Sequence, residues 1–172
     1  MVQFNAIVAR SNNNVIGIDG KIPWHFPLDF KWFKRCTLHR TIVMGKPTFD
    51  SIGKPLPHRK TIVLSTQKNL VIPDVEICGS IEELKKRQEE IIWVCGGAKV
   101  YQQMLPLCKY LYITMINHSY WGDKDKITLF PDEIRLYNFV EEGEIFKNED
   151  FTIARYINKE FIKKDVTNEW PF

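Results

Sequence analysis

The sequence predicts an α/β fold: a predominantly parallel central sheet of about eight strands, helices on both faces, and a C-terminal antiparallel hairpin at one edge. Apolar strand segments alternate with helical segments along most of the chain, and several strands are uniformly apolar, which is typical of parallel strands buried on both faces. The last two strand segments, 137–146 and 151–158, instead alternate apolar with polar residues, as hairpin strands do.

The elements follow in a regular order. A buried first strand at 2–9 leads through a glycine-rich loop to a helix that starts at Pro27. Further strands are expected at 41–45, 61–65, 75–78, 91–95 and 110–116. Short helices are expected from residue 46 to Gly53, over 80–90, and from residue 98 to Pro106. The segment from residue 117 to the start of the hairpin is predicted to be a long loop.

Composition restricts the function classes. At 172 residues and 44% hydrophobic content the chain is long enough for one packed core and short for two, so we expect a single domain over 1–160 and a polar tail at 161–172. Basic residues exceed acidic ones by only 24 to 21 and are scattered, which gives no reason to expect nucleic acid or a membrane as partner.

The cysteines and the amino terminus indicate a cytoplasmic protein. Cys36, Cys78, Cys95 and Cys108 are far apart and lie in apolar contexts, which fits reduced core thiols better than disulfides or metal ligands. We expect no metal. The first ten residues lack the pattern of a secretory signal, and no apolar run approaches the length of a membrane span.

Asp29 is the most informative single residue. On a helical wheel it falls among Leu28, Phe30 and Phe33, while the cations of the same helix point the other way. The helix dipole contributes only about 0.3–1 kcal/mol, whereas burial of an unpaired carboxylate costs several kcal/mol. A donor must therefore come from elsewhere in the fold or from a ligand, which predicts a pocket for a flat, nitrogen-rich ring. The alternative is an acid that merely caps the helix start.

Two glycine turns predict a phosphate site. Gly45-Lys46 and Gly96-Gly97 each lie between a strand and the start of a helix, with a lysine close by, on strands that we expect to be neighbours. Neither turn matches a dinucleotide or Walker fingerprint, and either could be a tight turn without a ligand. After the strand at 61–65 the chain offers Ser65 and Thr66 and no acid, which favours NADPH over NADH.

These motifs together resemble those of dihydrofolate reductase. The segments VIGIDGKIPW, TIVMGKPTFDSIGKPLPHRKTIVLS, WVCGGAKVYQQMLP, YITMI and LFPD occur in the order and spacing of that family, over about residues 4–160. The resemblance implies NADPH-dependent reduction of 7,8-dihydrofolate to tetrahydrofolate, which supports one-carbon metabolism, in a monomeric protein that antifolates inhibit. Aspartate at position 29 is similar to the bacterial type.

The resemblance also implies roles for individual residues. Asp29 would accept two hydrogen bonds from the pterin, and a water admitted near Ile22 and Trp24 would deliver the proton to N5. Arg59 would bind the glutamate carboxylate. The substrate residues implied are Ile7, Val8, Asp29, Phe30, Phe33, Ile52, Leu56, Arg59, Cys95 and Thr114. The cofactor residues implied are Ala9, Ile16, Gly17, Gly45, Lys46, Thr48, Leu64, Ser65, Thr66, Cys95, Gly96, Gly97, Ala98, Lys99, Val100 and Tyr101.

Two further features follow from the resemblance. The loop at 14–25, which we call the lid loop, would be mobile, with Gly122-Asp123 as the partner that holds it. The Gly96-Gly97 peptide would be cis. Cys95, Phe30 and Lys46 depart from the residues common in the family, which bears on inhibitor affinity and phosphate recognition and not on the reaction class.

Two other functions compete with this interpretation. A reductase of the same fold that acts on a ribosylamino-pyrimidine in riboflavin synthesis would need neither Asp29 in the helix nor Arg59 after the PLP turn. A catalytically silent folate- or nucleotide-binding module would retain the contact residues without turnover.

Overall fold

The computed structural model describes residues 1–131 and 138–162 of the chain. Ten strands and four α-helices are present in these residues. The strands are β1 (Gln3–Ser11), β2 (Val15–Ile18), β3 (Thr41–Gly45), β4 (Lys60–Leu64), β5 (Glu76–Cys78), β6 (Ile91–Val94), β7 (Cys108–Ile116), β8 (Ile127–Leu129), β9 (Phe139–Lys147) and β10 (Phe151–Asn158). The helices are α1 (Pro27–Thr37), α2 (Lys46–Ile52), α3 (Ile81–Lys85) and α4 (Ala98–Met104), and a 3-10 turn at Leu105–Leu107 follows α4.

The central sheet has eight strands in the order β5-β4-β3-β6-β1-β7-β10-β9. The six strands from β5 to β7 pair in parallel, and β10 pairs antiparallel with both β7 and β9. The predicted fold class and the hairpin at the edge are therefore confirmed.

Helices cover both faces because successive strand residues point to opposite sides. On β3, Val43 packs in a core with residues of α3 and α4, whereas Ile42 and Met44 pack in a second core with residues of α1 and α2. On β6, Val94 and Trp93 divide between the same two cores.

Local sequence explains where the helices begin and end. Pro27 occupies the first turn of α1, where no backbone N–H is needed, and α2 ends at Gly53, whose φ of 81° suits glycine. Ser80 caps α3 by accepting a hydrogen bond from the Glu83 N–H at 3.2 Å. Helix α3 is shorter than predicted, because Leu84 is its one buried residue and no apolar side chain follows one turn later.

The predicted long loop after β7 contains a strand that the sequence did not indicate. Within it, β8 pairs antiparallel with β2, which itself had been assigned to the glycine-rich loop, and the two form a separate sheet. Each is only three or four residues long and pairs more than 100 positions away, so the local pattern was too short to show either.

The cysteines, the metal-ligating side chains and the lengths of the helices bear on the expectations from composition. All four cysteines are free thiols, and the described part of the chain holds no cluster of three or more metal-ligating side chains. Among the helices described, none has the length and apolar character needed to cross a bilayer. Of the predicted tail, residues 163–172 lie outside the described residues, as does Asp132 of the LFPD motif.

Candidate active site

Asp29 lies in the first turn of α1 and is buried, with 9% of its surface exposed. Thr114 Oγ1, from β7, donates a hydrogen bond of 2.7 Å to Asp29 Oδ1. No cation in residues 1–131 or 138–162 forms an ion pair with this carboxylate. Burial raises the pKa of Asp29 above its usual value, and the bond from Thr114 opposes that rise.

The alternative prediction, that the Asp29 side chain caps the start of α1, is wrong. Its side chain reaches across to β7, and no side chain caps the start of α1 at Phe26. Thr114, which the resemblance implies for substrate binding, contacts the carboxylate directly. The acid therefore has unused acceptor capacity in a partly apolar setting.

A group of apolar side chains, which we call the apolar slot, includes Phe33, one helical turn after Asp29. Phe33, Leu56 and Cys95 are partly buried and pack on the core that contains Ile7. Phe30, Ile22 and Ile52 are more open, with 40%, 51% and 38% of their surfaces exposed. These apolar side chains exposed on the α1, α2 and lid-loop segments are what a hydrophobic ligand would cover.

Leu28 lies outside the apolar slot, although the helical wheel places it on the same side of α1 as Asp29. It is 51% exposed and lines a shallow groove with Ile145 and Phe146 of β9. The β9–β10 hairpin packs beside α1, a long-range contact that a wheel for α1 alone could not include.

The thiols of Cys36 and Cys95 pack on the same core as Phe33 and Leu56. Burial raises the pKa of Cys36 to about 12, against a smaller opposing effect of Arg35, and burial also raises the pKa of Cys95. Both thiols are therefore neutral at physiological pH and behave as small apolar groups.

The two glycine turns lie side by side. The Gly45 N–H donates to the Gly96 carbonyl at 2.9 Å, and the Gly96-Gly97 peptide is cis, as the resemblance implied. A Cβ on Gly97 would come 2.9 Å from Thr48 Oγ1, and a Cβ on Gly45 would come 3.1 Å from a methyl of Val100. Glycine at these two positions is therefore explained by the close packing of the Thr48 and Val100 side chains against the turns.

Tyr101 connects the second turn to the first strand. Its hydroxyl donates to the Ile7 carbonyl at 2.6 Å, beside the point where β1 leaves β6. Burial raises the pKa of Tyr101 well above its usual value, so the hydroxyl stays protonated and keeps this bond.

Charged and polar side chains surround the turns. Lys46 forms an ion pair with Asp50 at 2.6 Å, and Lys99 at the start of α4 is exposed. Ser65 Oγ, just after β4, accepts from the Gln67 N–H at 3.2 Å. Of the other predicted cofactor residues, Leu64 and Thr66 lie at the end of β4 and just after it, Ala98 begins α4, Ala9 lies in β1, and Ile16 and Gly17 lie in β2; Val8, predicted for the substrate, is buried in β1.

Arg59 is held in place by two acceptors. Its Nε donates to the Pro57 carbonyl at 2.9 Å and its Nη1 to Thr37 Oγ1 at 3.3 Å, while the Thr37 hydroxyl donates to the Phe33 carbonyl at 2.8 Å. Partial burial lowers the pKa of Arg59. It has no ion-pair partner in the described part of the chain, so its charge is free to meet an anion.

The lid loop is attached on two sides. The Ser51 hydroxyl of α2 donates to the Gly20 carbonyl, and the Asp19 N–H donates to the Lys126 carbonyl at 2.8 Å. Trp24, at the end of the lid loop, is buried against Tyr120 with ring centroids 5.2 Å apart.

Near the predicted partner of the lid loop, Gly122 approaches Ile18, and the exposed Asp123 side chain lies 3.7 Å from Lys126. Backbone groups of Lys126 and β8 add further contacts with the lid loop: the Asp19 N–H donates to the Lys126 carbonyl, and Thr128 pairs with Gly17. The role of Asp123 in holding the lid loop stays a prediction.

Four residues of this site were not singled out from the sequence: Ser51, Thr37, Asp50 and Tyr120. Ser51 and Tyr120 act across many positions of the chain, so no local signal marks them. Asp50 could have been found, because a Lys and an Asp four residues apart on a helix are expected to pair.

Comparison with known proteins agrees with this geometry. A family model described as dihydrofolate reductase matches residues 3–160. The chain is 36% identical to the dihydrofolate reductase of Buchnera aphidicola subsp. Baizongia pistaciae over 166 residues, which is 95% of this chain and 99% of that protein. It is 40% identical to the dihydrofolate reductase type 3 of Salmonella typhimurium over 133 residues, 76% and 79% of the two chains.

A solved structure is also similar. Dihydrofolate reductase from Enterococcus faecalis, in complex with NADP(H) and RAB-propyl, superposes with a TM-score of 0.82 at 33% identity, covering 91% of this chain and 96% of that one. With the sheet order, the buried acid of α1 and the paired glycine turns, these matches show that the chain belongs to the dihydrofolate reductase family.

Proposed function

We propose that this protein catalyses the NADPH-dependent reduction of 7,8-dihydrofolate to 5,6,7,8-tetrahydrofolate. The observation that carries the proposal is Asp29, a buried carboxylate without a cation partner among the described residues, beside an apolar slot. Family membership supports the same reaction. By the same membership, antifolates are expected to compete for the slot.

Asp29 is suited to bind the substrate ring. Thr114 uses one acceptor position of Oδ1, so Oδ2 and the remaining lone pair of Oδ1 can accept two parallel hydrogen bonds from a pterin amino group and ring N–H. Such a pair satisfies the carboxylate and fixes the orientation of the ring. Phe33 and Leu56 supply apolar walls beside it.

The residues at the glycine turns fit NADPH. Gly45 and Gly97 leave no room for a Cβ, and the Ser65 and Thr66 hydroxyls and Lys46 can meet a phosphate. Bound NADPH would supply the hydride that reduces C6 of the substrate. The chain's own contribution is to align the two ligands and exclude water, with Tyr101 fixing the Ile7 carbonyl at their junction.

Asp29 also governs the proton. A water admitted beneath the lid loop would deliver the proton to N5, while Asp29, ionised and paired with the ring, would favour protonation there electrostatically. Exposed Ile22 and buried Trp24 border this part of the lid loop. We place the catalytic role on Asp29 and a positioning role on the other two residues.

We further propose that residues 1–160 act as one domain, as a monomer in the cytoplasm. The four free thiols fit a reducing compartment.

Turnover tests the function directly. Purified protein mixed with NADPH and 7,8-dihydrofolate is expected to oxidise the cofactor, followed by the loss of its absorbance. Activity only with a ribosylamino-pyrimidine would establish the riboflavin-pathway alternative, and binding of both ligands without turnover would establish the silent module.

Asp29→Asn should lower kcat and raise the Tm at neutral pH. We expect kcat to fall about 100-fold or more at neutral pH, with NADPH affinity within about twofold of wild type. The raised native pKa means that the folded wild-type protein binds a proton more tightly than the unfolded chain, so its stability falls as pH rises above 3.8 through the native pKa. The asparagine variant should therefore have the higher Tm at neutral pH.

This gain in Tm should shrink toward zero when the pH is lowered to about 4 or below, as thermal unfolding would measure. Asp74→Asn is the matched control: Asp74 is exposed with a φ of 59°, which asparagine tolerates, so neither kcat nor Tm should change much. Full activity in Asp29→Asn would refute the role of this acid.

Arg59→Lys should weaken ligands that carry a glutamate tail. The guanidinium is oriented by Pro57 and Thr37, and lysine replaces that planar fork with a mobile point charge. We expect KM for dihydrofolate to rise about 10-fold and kcat to change less. An antifolate without the glutamate carboxylate should bind both forms equally, and Arg40→Lys, at an exposed arginine, should leave KM unchanged.

Ser51→Ala should release one side of the lid loop. Loss of one hydrogen bond worth about 1 kcal/mol should speed NADPH release about fivefold, measured by stopped-flow competition. Ser119→Ala, at an exposed serine in the neighbouring loop, is the control. Equal release rates in wild type and Ser51→Ala would show that this bond does not hold the lid loop.

A further inference from the structure

The lysine that is expected to meet the cofactor phosphate is already paired. Lys46 Nζ lies 2.6 Å and 2.7 Å from the two carboxylate oxygens of Asp50. The two residues are four apart on α2, and their side chains are 33% and 55% exposed. The positive charge at the first glycine turn is therefore neutralised before any ligand arrives.

The position of this ion pair matters for cofactor choice. Lys46 follows Gly45, the last residue of β3, and Gly45 pairs with Leu64, the last residue of β4. Ser65 thus begins the loop next to Lys46. No acid follows β4, but α2 brings the carboxylate of Asp50 to the same corner of the sheet.

We propose that Asp50 is a specificity-determining residue that weakens NADPH binding relative to NADH by competing with the 2′-phosphate for Lys46. This inference rests on the proposed function, which places the phosphate at this corner. A phosphate dianion must either displace the carboxylate or lie beside it, and both cost binding free energy. NADH has a hydroxyl in place of the phosphate, and an acid can accept a hydrogen bond from it.

The pair contributes too little to the fold to be explained by stability. Exposed ion pairs four residues apart on a helix contribute only about 0.3–0.5 kcal/mol. The chain contains a similar pair on α3, where Lys85 Nζ lies 2.7 Å from Glu82 Oε1, in a helix that carries neither glycine turn. That pair supplies a matched control for the loss of one exposed negative charge.

The test is the affinity of the intact protein for the two cofactors, measured by isothermal titration calorimetry at low ionic strength. In Asp50→Asn, the Kd for NADPH should fall about three- to tenfold, because the carboxylate no longer competes for Lys46 or repels the phosphate. The Kd for NADH should stay within about twofold. Raising the salt concentration to about 0.5 M should reduce the NADPH effect.

Two controls separate this role from a general change in charge. Glu82→Gln should leave the Kd of both cofactors within about twofold of wild type. In a Lys46→Gln background, Asp50→Asn should tighten NADPH much less than it does in the wild type, because most of the effect passes through Lys46.

The outcomes are distinguishable. Equal NADPH affinity in wild type and Asp50→Asn, or equal tightening of NADPH and NADH, would overturn the role of Asp50 and leave the reductase function intact. If the wild-type protein bound neither cofactor, the proposed function would fail and this inference with it.

Discussion

The structure depends on one costly burial, that of the Asp29 carboxylate in the first turn of α1. A buried, unpaired carboxylate costs several kcal/mol, whereas the single hydrogen bond from the Thr114 hydroxyl to this charged group contributes about 1.5–3 kcal/mol. The rest of the fold must supply the difference. It does so because the same side of α1 packs Trp32 and Cys36 onto the sheet, and Thr37 at its end is fully buried. A ligand that donates two hydrogen bonds to the carboxylate would reduce the free-energy cost of its burial.

The second constraint is the close approach of two backbone turns. Parallel pairing of β3 with β6 places Gly45 beside Gly96, and the Thr48 and Val100 side chains lie too close to the turns for a side chain at Gly97 or Gly45. The Tyr101 hydroxyl ties the second turn to β1, which pairs with the strand that carries Thr114. One sheet therefore fixes the positions of both turns and of the residue that contacts Asp29.

Much of this could be predicted because the determining patterns are local. Uniformly apolar strands, Pro27 at a helix start and glycines at strand ends each indicate structure within a few residues. Asp29 could be singled out because a charged side chain is unusual among apolar neighbours on a helical wheel. What remained hidden depends on distant pairing: β2 with β8, the bond from Ser51 to Gly20, and the hairpin that borders Leu28. The extent of α3 was misjudged because a capping pattern marks where a helix begins and not how far it runs.

The hydrogen bonds from Arg59 to Thr37 and from Thr37 to Phe33 have a geometric consequence. They hold the guanidinium of Arg59 at Thr37, in the last turn of α1. Asp29 lies eight residues earlier, in the first turn of the same helix. At about 1.5 Å per residue, the two anchoring points are separated by about 12 Å along a rigid axis. Helix α1 therefore fixes the spacing of the two groups. Under the proposed function, a molecule with hydrogen-bond donors at one end and an anion at the other would be selected by its length, and a shorter one would satisfy only one end.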